Sequence, residues 1–133
     1  MSTPAAARTS ALLVVVASGA DPTHTADLAG ALAHRLEQVH LLVPADEHAG
    51  AEPYRLALEI ADAVEATWGK RPVAAEVGPD LGRDLAQRLT GLPAHRIVAL
   101  GPDLGRRATR AVRRAAARAG AHVAVLRGPQ VAT

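Results

Sequence analysis

Gly78-Pro79-Asp80-Leu81-Gly82-Arg83 recurs unchanged as Gly101-Pro102-Asp103-Leu104-Gly105-Arg106. Each copy joins residue types that suit an anion. Glycines let a backbone come close to a ligand, the Asp is placed to cap a following helix, and N–H groups at a helix start favour negative charge. The second copy is the stronger candidate because it runs on into Arg107 and a strongly basic stretch. Gly101, Asp103, Gly105, Arg106 and Arg107 are therefore the candidate phosphate-binding residues. Arginines in a first helical turn oppose the helix dipole, and a bound phosphate would offset that.

Two other sets could carry chemistry. Asp21, His24, Asp46, Glu47 and His48 fall in loops after the first two predicted strands, and a His/carboxylate group of this kind can hold a divalent ion. Their spacing matches no diagnostic metal motif, and loop residues at helix starts explain them equally well. His40, His95 and His122 fall at strand starts, on the opposite edge, and cannot join them. Arg106, Arg107, Arg110, Arg113, Arg114 and Arg118 cover much of one helix surface, but no aromatic residues interleave them and no recognition motif is present, so a nucleic-acid partner is not expected. A nucleophile elbow, a dinucleotide fingerprint and a Walker sequence are all missing. No catalytic residue is assigned, and binding is expected ahead of catalysis.

The composition narrows the classes further. The chain has 133 residues and no cysteine, which excludes disulfides, thiolate catalysis and Cys-ligated metal sites. Aromatics are 2% of the chain, so little surface is offered for stacking a base or a flavin. No apolar run approaches the roughly 18 residues of a membrane span, and residues 1–10 do not read as a signal peptide; a cytoplasmic location and no membrane partner are expected. The charge is uneven. Residues 1–100 carry 8 basic and 12 acidic side chains, whereas residues 101–133 carry 7 arginines and one Asp. Such a basic segment either is a solvated face or meets phosphates.

Elements must position these residues, and their pattern is regular. The apolar runs 11–17, 39–44, 73–77, 96–100 and 122–126 predict five strands covered on both faces. Between them lie four helical patterns. The first carries Leu28, Leu32 and Leu36 on one stripe with Thr23 or Thr25 as its cap. The second runs over 51–68 with Ala57, Ile60, Ala61, Val64 and Trp68 on one side, the third stacks Leu81, Leu85 and Leu89, and the fourth is the basic stretch up to Ala119. Strict alternation with short connections predicts a single α/β domain over 11–127, a parallel sheet with helices on both faces, a disordered lead-in at 1–10 and a tail at 128–133.

This pattern resembles the universal stress protein family, most closely in Glu76-Val77-Gly78, in Arg96-Ile97-Val98-Ala99-Leu100-Gly101, and in the closing 119–127 segment. The resemblance implies a flavodoxin-like sheet of five strands in the order 3-2-1-4-5, with a nucleotide crevice between strands 1 and 4. Ser18 and Gly19 then lie beside the second hexapeptide and join the candidate site, with ATP or AMP as ligand and a divalent metal at Asp21, His24, Asp46 and His48 as the weaker cofactor. In that order the first hexapeptide is about 14 Å from the second at strand spacing, too far to share a phosphate with it. The resemblance further implies a homodimer through the last strand, His122 to Leu126, and a role in stress response. The chain departs from the family's nucleotide motif: Ala17-Ser18-Gly19 stands where an Asp ends the first strand, and Ala115 and Ala116 stand where a Gly and a hydroxyl residue follow. Val14 to Pro22 and Val77-Gly78-Pro79-Asp80 are also similar to sirohydrochlorin cobalt- or ferrochelatases, which implies metal insertion into a tetrapyrrole as the alternative, although the family's metal-binding His is replaced. A subunit that binds no small ligand is the third reading.

Overall fold

The computed structural model describes residues 10–33, 38–45, 48, 50–69, 71–77, 80–93 and 95–126. It is an α/β structure, as the alternation predicts, with a parallel sheet and four helices. The elements are β1 (Ser10–Val15), α1 (Pro22–Ala33), β2 (Gln38–Pro44), α2 (Glu52–Trp68), β3 (Val73–Val77), α3 (Leu81–Thr90), β4 (His95–Leu100), α4 (Arg106–Ala119) and β5 (His122–Val125). The strands are ordered β3-β2-β1-β4-β5. Every pairing is parallel, so β1 lies at the centre with β2 on one side and β4 on the other.

This order determines where each helix goes. Steps from β1 to β2 and from β2 to β3 move one way across the sheet; steps from β3 to β4 and from β4 to β5 move the other way. Crossovers of one hand must put the two pairs of helices on opposite faces. The core divides accordingly. Leu12, Val14 and Val16 pack with Ala26 and Ala29 of α1 and Leu56, Ala57, Ile60, Ala61 and Val64 of α2. Leu13 and Val15, pointing the other way along the same strand, pack with Leu85 and Leu89 of α3 and Val112, Ala115 and Ala116 of α4. A strand buried along its whole length, as β1 is, calls for a continuous apolar run, and Ala11 to Val15 supplies it after the buried Ser10.

Two sequence expectations change at the helices. Thr23 and Thr25 do not cap α1: Asp21 accepts the Thr23 N–H at 3.1 Å, Pro22 takes the first helical position, and Thr25 is fully buried inside the helix. Trp68 does not join the buried stripe of α2 but stays 41% exposed at the helix end. Its indole lies over Gly30 of α1, where a Cβ would overlap the ring, so glycine is what lets the two helices meet there. Leu28 and Leu32 of the predicted stripe are half-buried against the core, and Leu36 lies outside the described residues.

The amino-terminal edge of the sheet holds two buried or half-buried basic groups. Arg96 on β4 reaches under the ends of α3 and α4 and donates to the Leu89 carbonyl and, at 3.0 Å, to the Ala119 carbonyl. His40 on β2 is half-buried, with Gln38 Oε1 3.1 Å from its Nε2. Burial, and secondarily the nearby Arg88 charge, push its pKa below 6.5. A histidine depressed in the folded state binds its proton more weakly there than in the unfolded chain, so its contribution to stability is present above pH 6.5 and lost as pH falls from there through the lowered folded value. Urea unfolding from about pH 8 to about pH 5.5 should show a steeper loss of stability in the wild type than in His40→Gln. Parallel profiles for the two proteins would contradict this.

At the far side of the sheet β5 has one long edge without a strand partner among the described residues, and Val125 on it is 45% exposed. No described helix is long and apolar enough to cross a membrane.

Candidate functional site

The carboxyl ends of parallel strands, where β1 and β4 send their chains in opposite directions, are the place where α/β sheets hold ligands. Here that edge is built from the β1 exit (Val16 to Ala20), the end of β2 at Pro44, the starts of α3 and α4, and the turn from 101 to 105. The two hexapeptides are both on this edge. They do not fold alike.

In the first copy Asp80 is the N-cap of α3, accepting the Arg83 N–H at 3.1 Å, and the helix begins at Leu81. Gly78 and Pro79 lie outside the described residues. In the second copy the sequence expectation of an Asp cap is overturned. Asp103 sits in a turn with φ 65, in the left-handed region that Asp tolerates better than most residues, and the helix begins three residues later with Gly105 as N-cap. Gly105 has extended dihedrals and no side chain, so nothing within the loop caps the first N–H groups of α4. The first helical hydrogen bond runs from Thr109 N–H to the Gly105 carbonyl, which leaves the N–H groups of Arg106, Arg107 and Ala108 without a partner along the helix.

Gly101 has a different role from the one its motif suggested. It is buried, and its N–H donates to the Val15 carbonyl at 2.9 Å. A Cβ there would come within 2.7 Å of that same oxygen. Its function is to let β4 pass β1 as the chain leaves the sheet, and its N–H is already committed.

The two copies also meet, contrary to the strand-spacing expectation. α3 is the long return crossover from β3 to β4, so its start is carried back across the sheet until it packs beside α4. One crevice of about 680 Å³ is lined by Asp80, Leu81 and Gly82 from the first copy, by Gly105 from the second, by Arg107, Ala108 and Ala111 of α4, and by Pro44. Gly82 and Ala111 are what allow the close approach, since a Cβ on Gly82 would just touch that of Ala111. Asp80 is the one carboxylate in this lining, and it is turned to its own helix by the cap. Helices rather than strands bring the start of α3 beside α4.

Ser18 and Gly19 are exposed on the β1 exit, Asp103 and Arg106 are exposed on the 101–106 segment, and none of these four lines the crevice. The described members of the proposed metal set do not converge. Asp21 is engaged with the Thr23 N–H, His24 and His48 are exposed, Asp46 and Glu47 lie outside the described residues, and among the described residues no three His, Asp or Glu side chains converge. Gly82 belongs to the first hexapeptide, but Ala108 and Ala111 in the crevice have no motif; their only signal is small residues at the crossing of two helices, which becomes visible once α3 is known to lie beside α4.

Compared with protein-family models and with curated proteins, the chain matches none. Its reading therefore rests on the site itself.

Proposed function

We propose that this chain is a binding protein that holds a phosphate-bearing small molecule at the start of α4, with a nucleotide such as ATP or AMP as the leading class. This keeps the universal stress protein-like, flavodoxin-like reading of the fold as part of the proposal. The observation that carries it is the uncapped start of α4 beside a crevice of about 680 Å³ with Arg107 in its wall. Partnerless N–H groups and a guanidinium together offer charge-assisted hydrogen bonds to phosphate oxygens. The rest of the crevice, Pro44, Leu81, Ala108 and Ala111, is apolar and would take the uncharged part of the ligand. Among the described residues, none in the lining is a nucleophile or a paired general base, which supports binding over catalysis. The chelatase alternative has no observation in its favour.

The test is calorimetric titration of wild type and Gly105→Asp with ATP, AMP and inorganic phosphate. The extended dihedrals of Gly105 suit a capping side chain. An Asp carboxylate there would accept the free N–H groups, raise the stability of the unliganded protein by roughly a few tenths of a kcal/mol, and repel a phosphate. Wild type should bind, and the variant should melt higher yet bind at least about tenfold more weakly. No heat and no thermal shift from any of the three ligands at millimolar concentration would sink the proposal.

A further inference from the structure

The sheet separates charge. On one side α1 and α2 carry Asp27, Glu52, Glu59, Asp62 and Glu65 against Arg55 alone; on the other, α3 and α4 carry eight arginines against Asp84. Six of the eight, Arg106, Arg107, Arg110, Arg113, Arg114 and Arg118, are on α4, and all six are exposed. At 3.6 residues per turn they fill one arc of about 140°, while Val112, Ala115 and Ala116 on the other side are buried against the sheet. Among the described residues none of these six guanidiniums has a hydrogen bond or an ion pair, in contrast to Arg55 and Arg71, which meet carboxylates around α2.

Such a helix is unfavourable by itself. Arg110 stands three or four residues from Arg106, Arg107, Arg113 and Arg114, and Arg118 four from Arg114, so like charges meet five times on one surface. Arg106 and Arg107 also face the positive end of the helix dipole. A partner that brings closely spaced negative charge removes all of these repulsions together.

We propose that the outward face of α4 docks the phosphate backbone of double-stranded nucleic acid, without reading bases. The sequence by itself argues against nucleic acid, having no aromatic interleaving and no motif; the placement of the charges supports contact limited to the backbone. Guanidinium forks match phosphate oxygens. The chain's Tyr54 and Trp68 are both on α2, in the other layer, so this face offers no platform on which the bases of a single strand would stack. The arginine arc holds no apolar side chain larger than alanine, which excludes insertion into a lipid surface. The helix is about 21 Å long and is seated on the sheet by Val112, Ala115 and Ala116, so its arginines project from a fixed backbone, and a duplex presents one charge per roughly 1.7 Å of its axis in a rigid array. Hollows flank the ridge on both sides: one of about 590 Å³ between α3 and α4 has Arg83, Arg114 and Arg118 on its walls, and one of about 370 Å³ has Arg106, Arg110 and Arg113. They give phosphates a seat on either side of the helix.

The experiment is fluorescence anisotropy with labelled duplexes of about 20 base pairs, DNA in one arm and RNA in the other, over a salt series. Binding should be roughly micromolar at about 50 mM salt, and log K should fall with log salt at a slope of about −3 to −4, the value for some four phosphates. Arg110→Gln combined with Arg114→Gln, from the middle of the arc, should weaken binding at least about tenfold and flatten the slope by 1–2, with circular dichroism confirming that the variant is folded. Arg55→Gln on the opposite layer should change nothing. The proposal is overturned by absence of binding at that salt, by equal binding of the double variant, by tighter binding of a single strand of matched length, or by tighter binding of polyglutamate or phosphatidylserine vesicles at matched charge. Arg107 is shared with the crevice at the start of α4, but Arg110 and Arg114 are not in its lining, so the double variant tests this face separately from the nucleotide titration.

Discussion

Gly101→Ala should lower the free energy of unfolding by about 3 kcal/mol. The added methyl would lie 2.7 Å from the Val15 carbonyl oxygen, and that oxygen is already bonded to the Gly101 N–H. Relief requires β1 and β4 to move apart at a point where Val15 is fully buried and both strands are paired on their other sides. Overpacking of this kind costs about 1–3 kcal/mol, and stretching the hydrogen bond adds about 1 kcal/mol. Against this, alanine restricts the unfolded chain, a gain of about 0.4–1 kcal/mol. Gly105, which carries the same residue type in the same motif, meets nothing within 4 Å of a built Cβ. Urea unfolding of Gly101→Ala beside Gly105→Ala therefore separates the two: the first should be the less stable by about 2 kcal/mol or more. If the two are equally stable, the close passage of β1 and β4 is not real.

Arg96→Ala should destabilise by a similar amount, about 3 kcal/mol, for a different reason. Helices leave their last carbonyls without partners, and one guanidinium serves two helices here, donating to Leu89 in the last turn of α3 and to Ala119 at the end of α4. Hydrogen bonds from a charged donor contribute about 1.5–3 kcal/mol each, and the positive charge is favourable at two helix C-termini. Leu89 also accepts the Leu92 N–H, which cushions its loss, whereas α4 depends on the left-handed Gly120 for the rest of its end. Arg96→Lys should recover only part, since an ammonium is a single point of charge and cannot bridge two carbonyls with a planar fork. The order wild type, lysine, alanine in unfolding free energy checks this, together with faster amide exchange at the ends of both α3 and α4 in the alanine variant. Faster exchange confined to one helix would show that Arg96 does not link them.

Neither residue was assigned these roles from the sequence, and the reasons differ. Gly101 was found, but by its motif, which pointed to phosphate; that its N–H is taken by β1 depends on a strand 85 residues earlier in the chain. Arg96 was read only as part of a strand, because a side chain capping two helix ends leaves no periodic trace. By contrast, the core was legible. Leu85 and Leu89 of α3 and Ala57, Ile60, Ala61 and Val64 of α2 are buried as their spacing implies, because a period of 3.6 fixes which side chains share a face before any neighbour is specified. Trp68 escaped that rule at the last residue of its helix, where its indole lies over Gly30 of α1.

The arginine helix was legible as composition but not as a surface. That its positive charge has a whole layer to itself follows from α3 and α4 sharing a face, which follows from the order in which the strands are laid down.

The doubled hexapeptide shows the division most clearly. From the sequence alone came a chain alternating between apolar runs and amphipathic patterns, an α/β parallel architecture, and two identical turns leading into helices. Local chemistry suffices for that, since hydrophobic period and turn residues act over a few positions. Identical residues then adopt different backbones: Asp80 caps a helix that starts beside it, and Asp103 turns left-handed three residues before one. Leu81 and Leu104 both pack into the same core, the first from within a helix and the second from the loop before one. What decides between the two forms is the strand before each copy. β4 is held on both sides up to Gly101, so its chain must turn sharply before α4 can begin, and that constraint, together with the return of α3 across the sheet that unites both copies in one crevice, exists only in the tertiary structure.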